Sequence, residues 1–119
     1  LFKSNNPNFD DGMQVRDFIY VKDCIKIIMW ILGMNKFGDI LNVGTGVERS
    51  FNDLVSAVFC TMNLEPKINY IDMPESLLKQ YQNFTKADIR KLRNYGYENE
   101  FTSIEDGIAD YIKYMEKRL

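Results

Sequence analysis

The stretch GMQVRDFIYVKD, residues 12–23, decides how this chain is read. A surface strand alternates polar and apolar side chains, because successive residues point to opposite faces of a sheet. Here Arg16 and Asp17 stand side by side ahead of Phe18, Ile19, Tyr20 and Val21, and such a continuous apolar run is typical of a strand covered on both faces. Residues 14–21 therefore read as a strand. It leads to Asp23, an aspartate placed to cap the next helix by accepting a hydrogen bond from a first-turn N–H.

That helix is expected over residues 24–33, closing near Gly33. Only Lys26 is polar in it among Cys24, Ile25, Ile27, Ile28, Met29, Trp30, Ile31 and Leu32, so it has no solvent face and needs cover nearly all round. Next comes DILNVGTG, with a β-branched strand at 40–43 and a Gly-Thr-Gly turn. Ser50 then offers an N-cap and Asp53 its capping-box partner for a helix over 51–63. Phe51, Leu54, Val55, Val58, Phe59 and Met62 recur there with helical period. A strand over 66–73 is expected to be closed by Pro74. Thr85 with Asp88 is read as a capping box for a helix over 86–94 ended by Gly96, and Ser103 with Asp106 as the cap of a last helix striped by Ile104, Ile108, Tyr111, Ile112 and Met115. Upstream of the opening stretch, residues 3–13 collect Ser, Asn, Pro, Asp and Gly and read as a long exposed loop. Strands separated by helices make this an α/β chain.

Composition narrows the function. The 119 residues, 45% of them hydrophobic, are enough for one core. With 15 basic against 17 acidic side chains and no charged tract, nothing points to nucleic acid. The apolar run at 24–32 is interrupted by Lys26 and is far below the ~20 residues of a membrane span, so no membrane is expected. There is no histidine, which removes Ser-His-Asp and Cys-His nucleophiles and most zinc sites; no metal is expected. Cys24 and Cys60 lack CxxC spacing and read as buried reduced thiols of a cytoplasmic protein. The start at Leu1 suggests the tail of a longer chain.

Three features could carry chemistry. The Gly44-Thr45-Gly46 turn invites a phosphate-loop reading, but a third fingerprint glycine would fall at Arg49, and a tight strand-to-helix turn is the simpler account. A tyrosine with a lysine four residues on could exchange protons, yet none of the seven tyrosines has one. Arg16, between a polar loop and an apolar strand, could hold a diphosphate with its planar fork of donors or pair with Asp17 or a loop carboxylate. Tyr81 and Phe84 could line a ligand or anchor their loop.

RDFIYVKD before an apolar helix, then LNVGTG with SF opening the next helix, resembles the extended short-chain dehydrogenase/reductase family of sugar-nucleotide epimerases and dehydratases. The loop beginning LFKSN, with YQNFTKADIRKLRNYGY and FTSIEDGIADYI, is similar to the branch acting on ADP-heptoses. The resemblance implies a C-terminal part, residues 1–119, of a Rossmann-type fold. Its sheet would be completed by an N-terminal part that also carries the glycine fingerprint and the Tyr-x-x-x-Lys pair, so this segment has no catalytic residue of its own. Residues 1–23 and 47–119 would form a small α/β substrate-binding lobe, and 24–46 would return to the nucleotide-binding sheet. Phe2, Lys3, Ser4, Asn5, Arg16 and Tyr81 would bind an ADP-heptose-type nucleotide sugar. Lys3 and Asn5 depart from the acidic and glycine residues usual there. Arg16 would take the diphosphate, and Tyr81 would close on the nucleotide.

The whole protein would be a homo-oligomer using NADP or NAD, held mainly by the other part, to invert C6 of the heptose through a 6-keto intermediate. Two alternatives stand beside this: a UDP- or dTDP-sugar epimerase or dehydratase, and a non-enzymatic nucleotide-sugar binding module. The expected outcome of reading the gene upstream of Leu1 is a glycine-rich strand-turn-helix followed by Tyr-x-x-x-Lys. A start codon within a few triplets of Leu1 would remove the enzyme reading.

Overall fold

The computed structural model describes residues 1–117. Its elements run β1 (Val15–Arg16), α1 (Val21–Leu32), β2 (Arg49–Ser50), α2 (Phe51–Thr61), α3 (Glu75–Leu78), α4 (Arg90–Asn94) and α5 (Ile104–Glu116). The expected α/β character holds, with far less sheet than the sequence pattern suggests. Strands β1 and β2 pair antiparallel, Val15 opposite Ser50 and Arg16 opposite Arg49. On its other side Val15 donates to Asn83 O at 2.9 Å and accepts from Thr85 N at 3.3 Å, making a single parallel bridge to Phe84. A second parallel bridge joins Phe2 to Ile71.

Three strand expectations are corrected. The strand over 14–21 shrinks to Val15–Arg16, and helix α1 already begins at Val21 with Tyr20 as its N-cap residue. The run 40–43 forms no strand, and Ile40 is 84% exposed; a buried parallel strand exists only where neighbours accept its N–H groups, and the described residues supply none. Residues 66–73 contribute only the bridge at Ile71, and Pro74 serves instead as the N-cap of α3.

Helices are closer to expectation where a side chain caps them. Ser50 accepts from Asp53 N at 3.0 Å while Asp53 accepts from Ser50 N at 2.9 Å, the reciprocal capping box that starts α2. Ser103 accepts from Asp106 N at 3.0 Å and starts α5. No such box forms at Thr85 and Asp88. Arg90 neutralises Asp88 instead, donating from both backbone and side chain and holding that carboxyl down to about 2, and the helix begins only at Arg90. Asp23 is not a cap either. It sits buried in the first turn of α1, where Lys26 Nζ at 2.8 Å and Thr102 N at 2.6 Å both donate to it. Burial alone would raise its carboxyl; these donors outweigh that and lower it.

The core gathers Ile27, Leu92 and Tyr97, with Ile19, Trp30, Ile31, Leu41 and Phe101 packed round them. Trp30 meets Tyr97 edge-on at 5.2 Å. Helix α1 therefore turns the stripe Asp23, Ile27, Trp30 and Ile31 inward. A second apolar stripe, Val21, Ile25, Ile28 and Leu32, faces out, Leu32 being 72% exposed. Helices α2 and α5 pack on each other. Cys24 is only half-buried and Cys60 exposed, contrary to the expectation of two buried thiols; neither forms a disulfide. No described helix is long and apolar enough to cross a membrane.

Two apolar stripes on one short helix make the outer face of α1 adhesive. The purified 119-residue chain is expected to self-associate in sedimentation and to enhance the fluorescence of a hydrophobic dye. Replacing Ile25 and Ile28 together by Lys should suppress both. A dye-silent monomer would show that the outer stripe needs no cover.

Candidate functional site

Backbone pairing positions the site. Gly12 begins it: with φ of +74° its carbonyl accepts from Asn52 N at 3.0 Å, and a Cβ there would lie 2.1 Å from Asn52 Oδ1. Only glycine tolerates both the left-handed backbone and that approach. Asn52 in turn donates to Asp11 O at 3.0 Å and accepts from Tyr70 Oη at 3.0 Å. The start of α2 is thereby fastened to the end of the loop. One residue on, Phe51 N donates to Gln14 O at 3.2 Å and continues the β1–β2 ladder.

Leu1, Phe2, Gln14, Phe51, Ile71 and Tyr81 line a cleft of about 360 Å³. The Phe2 and Tyr81 rings meet edge-on at 6.3 Å. Arg16 stands over two of these rings, its Cζ 5.6 Å from the Phe51 centroid and 5.2 Å from that of Tyr81, each contact contributing about 0.5–2 kcal/mol according to its hydration. Among the described residues no carboxylate lies within ion-pair distance of Arg16, and its one hydrogen bond, 2.8 Å to Val15 O, uses Nη1. A guanidinium carries five N–H donors, so most of the fork is uncommitted. The salt-bridge alternative for Arg16 therefore has no counterpart among the described residues.

Asp17 is engaged elsewhere. Its carboxylate accepts from Thr45 N at 2.8 Å, Thr45 Oγ1 at 2.6 Å, Gly46 N at 2.9 Å and Ala87 N at 3.1 Å. The glycine turn is thus an anion cradle filled from within by a carboxylate. A Cβ on Gly44 would fall 2.4 Å from Ala87 Cβ and 2.7 Å from Asp17 Oδ2. Burial pushes the Asp17 carboxyl up, but the donors from Thr45, Ala87 and Gly46 prevail and its pKa is lowered.

The site residues expected from the sequence divide into two groups. Phe2, Arg16 and Tyr81 come together at the cleft. Lys3 turns away to pair with Asp72 at 2.9 Å, Ser4 Oγ donates to Asn6 O at 2.8 Å, and Asn5 Nδ2 reaches Leu78 O at 3.4 Å. Ser4 and Asn5 line a separate open hollow with Asn6, Pro7, Phe9, Asp10 and Asp11. Sequence reasoning missed Gln14 and Phe51 as cleft residues. Neither carried a local signal: Gln14 precedes β1 and Phe51 follows β2, and the hydrogen bond between them, continuing the ladder, brings both to the cleft.

This is a partial epimerase fold of the short-chain dehydrogenase/reductase type, and residues 3–44 match the model of the NAD dependent epimerase/dehydratase family. Its relatives are more particular. The chain is 50% identical over 113 residues to the ADP-L-glycero-D-manno-heptose-6-epimerase of Nitratidesulfovibrio vulgaris, covering 95% of this chain and 35% of that protein. It superposes with a TM-score of 0.72 and 28% identity on the crystal structure of Helicobacter pylori ADP-L-glycero-D-manno-heptose-6-epimerase, covering 88% and 31% of the two chains. The Bacillus cereus UDP-glucuronic acid 4-epimerase in complex with UDP-glucuronic acid and NAD matches with a TM-score of 0.72 and 28% identity, over 90% and 34%. The chain thus spans about a third of the length of the curated relatives it matches.

The glycine turn does not fit the phosphates of an NAD-type cofactor. The N–H groups of the glycine turn that would cradle its phosphates already serve Asp17.

Because the folded Asp17 carboxyl lies below its ordinary 3.8, its contribution to stability is present above pH ~4 and is lost as pH falls through the folded value. Asp17→Asn turns an amide N–H₂ toward backbone donors. Denaturant unfolding at pH 7 should show a loss of about 1–3 kcal/mol, with the gap to wild type narrowing at pH 3. A pH-independent gap would mean that charge on Asp17 is immaterial.

Proposed function

We propose that this chain is the substrate-binding part of an NAD(P)-dependent ADP-glycero-manno-heptose 6-epimerase of lipopolysaccharide core biosynthesis. The observation that carries the reading is the guanidinium of Arg16, stacked over Phe51 and Tyr81 beside an apolar cleft and paired with no described carboxylate. A fixed planar fork of unspent donors suits a diphosphate, and aromatic walls suit the nucleoside attached to it. The heptose is chosen by the 50% identity to an enzyme of that name.

In this reading, residues 1–23 and 47–119 form the substrate lobe, and 24–46 pass into the nucleotide-binding sheet. The outer stripe of α1 and the unpaired run 40–43 are the surfaces that such a sheet would cover. The cofactor, NADP or NAD, is held by residues outside this chain and supplies the hydride chemistry. This segment contributes binding and orientation: Arg16 fixes the diphosphate, while Phe2 and Tyr81 hold the nucleoside. Lys3, Ser4 and Asn5 flank the cleft from the adjoining loop. The whole protein acts in the cytoplasm as a homo-oligomer. A UDP-sugar epimerase is the second reading, favoured by the likeness to the Bacillus cereus enzyme bound to UDP-glucuronic acid.

In the full-length gene product, Arg16→Lys should weaken ADP-sugar binding by about 1.5 to 3 kcal/mol, since a point ammonium cannot replace two parallel donors. Calorimetric titration with ADP and UDP measures the loss and separates the two readings. Tighter binding of UDP would favour the second, and unchanged affinity together with lowered stability would assign Arg16 to folding alone.

A further inference from the structure

The ladder sets two arginines opposite one another, Arg16 against Arg49, and like charges so placed repel. The fold treats the two differently. Arg49 is given carboxylates: its Nη2 lies 2.6 Å from Glu105 Oε1 and its Nε 3.2 Å from Asp53 Oδ2. Arg16 is given rings. Its Cζ stands 5.6 Å from the Phe51 centroid and 5.2 Å from that of Tyr81, and each ring is met edge-on by another, Phe51 by Phe18 at 5.5 Å and Tyr81 by Phe2 at 6.3 Å. A carboxylate would neutralise the guanidinium and occupy its N–H donors, whereas a ring face attracts the cation and leaves the donors at the rim of its plane unspent. Of the two rings, Phe51 stands on the ladder itself: it opens α2 directly behind the Ser50 capping box, and its N–H donates to Gln14 O at 3.2 Å.

We propose that Phe51 is a positioning residue of the diphosphate site, its ring holding the plane of the Arg16 guanidinium so that the fork is ordered before the anion arrives. This rests on the nucleotide-sugar reading given above, in which Arg16 takes the diphosphate. An arginine side chain has many rotamers, and freezing them at the moment of binding subtracts from affinity. A stack already made in the free protein removes that loss. Because the ring acts through Arg16 and not on the nucleoside, its effect extends to an anion that has no base at all.

The test is calorimetric titration of the full-length gene product with inorganic pyrophosphate, alongside thermal unfolding without ligand. Phe51→Leu should weaken pyrophosphate binding about fivefold, while Phe51→Tyr, which keeps the ring, should stay within about twofold of wild type. In an Arg16→Lys background the same Phe51→Leu change should cost less than about twofold, since an ammonium has no plane for a ring to orient. Should Phe51→Leu prove too unstable to titrate, Phe51→Met fills the space with an unbranched apolar chain and makes the same comparison. Unchanged pyrophosphate affinity in the variant lacking the ring, whatever its Tm, assigns Phe51 to packing and overturns the proposal. So does a Phe51→Tyr variant as weak as Phe51→Leu. An equal loss in the Arg16→Lys background overturns it too, because the ring would then act by a route other than Arg16. Failure of the wild-type protein to bind pyrophosphate is a different outcome: it removes the diphosphate reading itself, and this role of Phe51 with it.

Discussion

The carboxylate of Asp17 is the joint on which the rest of the structure turns. Four donors from two distant segments converge on it, Thr45 and Gly46 from the glycine turn and Ala87 from the approach to α4. Ordering residues so far apart in sequence costs chain entropy, and charge-assisted hydrogen bonds are among the few single contacts strong enough to offset much of it. Asp17 also ends β1. Once its side chain is drawn into the turn, the backbone leaves the ladder, and the apolar run that follows enters α1 through Tyr20 instead of continuing as a strand.

Arg16 is the counterpart on the opposite side of the chain. Adjacent residues in extended backbone point in opposite directions, so binding Asp17 inward sends Arg16 toward the Phe51 and Tyr81 rings. One anion is satisfied by the protein itself, whereas Arg16 has no carboxylate partner among the described residues. A glycine turn with the outward look of a phosphate loop is therefore a structural joint.

Local side-chain chemistry was legible in the sequence. The Ser50–Asp53 and Ser103–Asp106 caps, the apolar stripes of α2 and α5 and the prominence of Arg16 are all decided within a few residues. Strands were overread because a strand's length depends on its partners: 40–43 has the right residues and no neighbour among those described, and 66–73 finds only Leu1 to Lys3. The N-cap of α1 was misplaced by three residues, at Asp23 instead of Tyr20, because a buried aspartate and a capping one look alike until Thr102, 79 positions away, is brought to it. Phe51 and Gln14 were missed as site residues for the same reason, since both reach the cleft through pairing between β1 and β2. The likeness to sugar-nucleotide epimerases supplied the fold where periodicity could not.

The loop between Phe2 and Gly12 is fastened at both ends, by Lys3 N to Ile71 O at 2.9 Å on one side and Asn52 N to Gly12 O at 3.0 Å on the other. Its closure is thus already achieved by the framework, and lengthening such a loop raises the entropy of closing it only logarithmically. Residues can be added or exchanged between the two clasps without disturbing either β1 or the helix behind it. The rim beside the cleft can therefore change in length and composition while β1 and α2 keep their places, so the segment behaves as an interchangeable insert on a fixed frame.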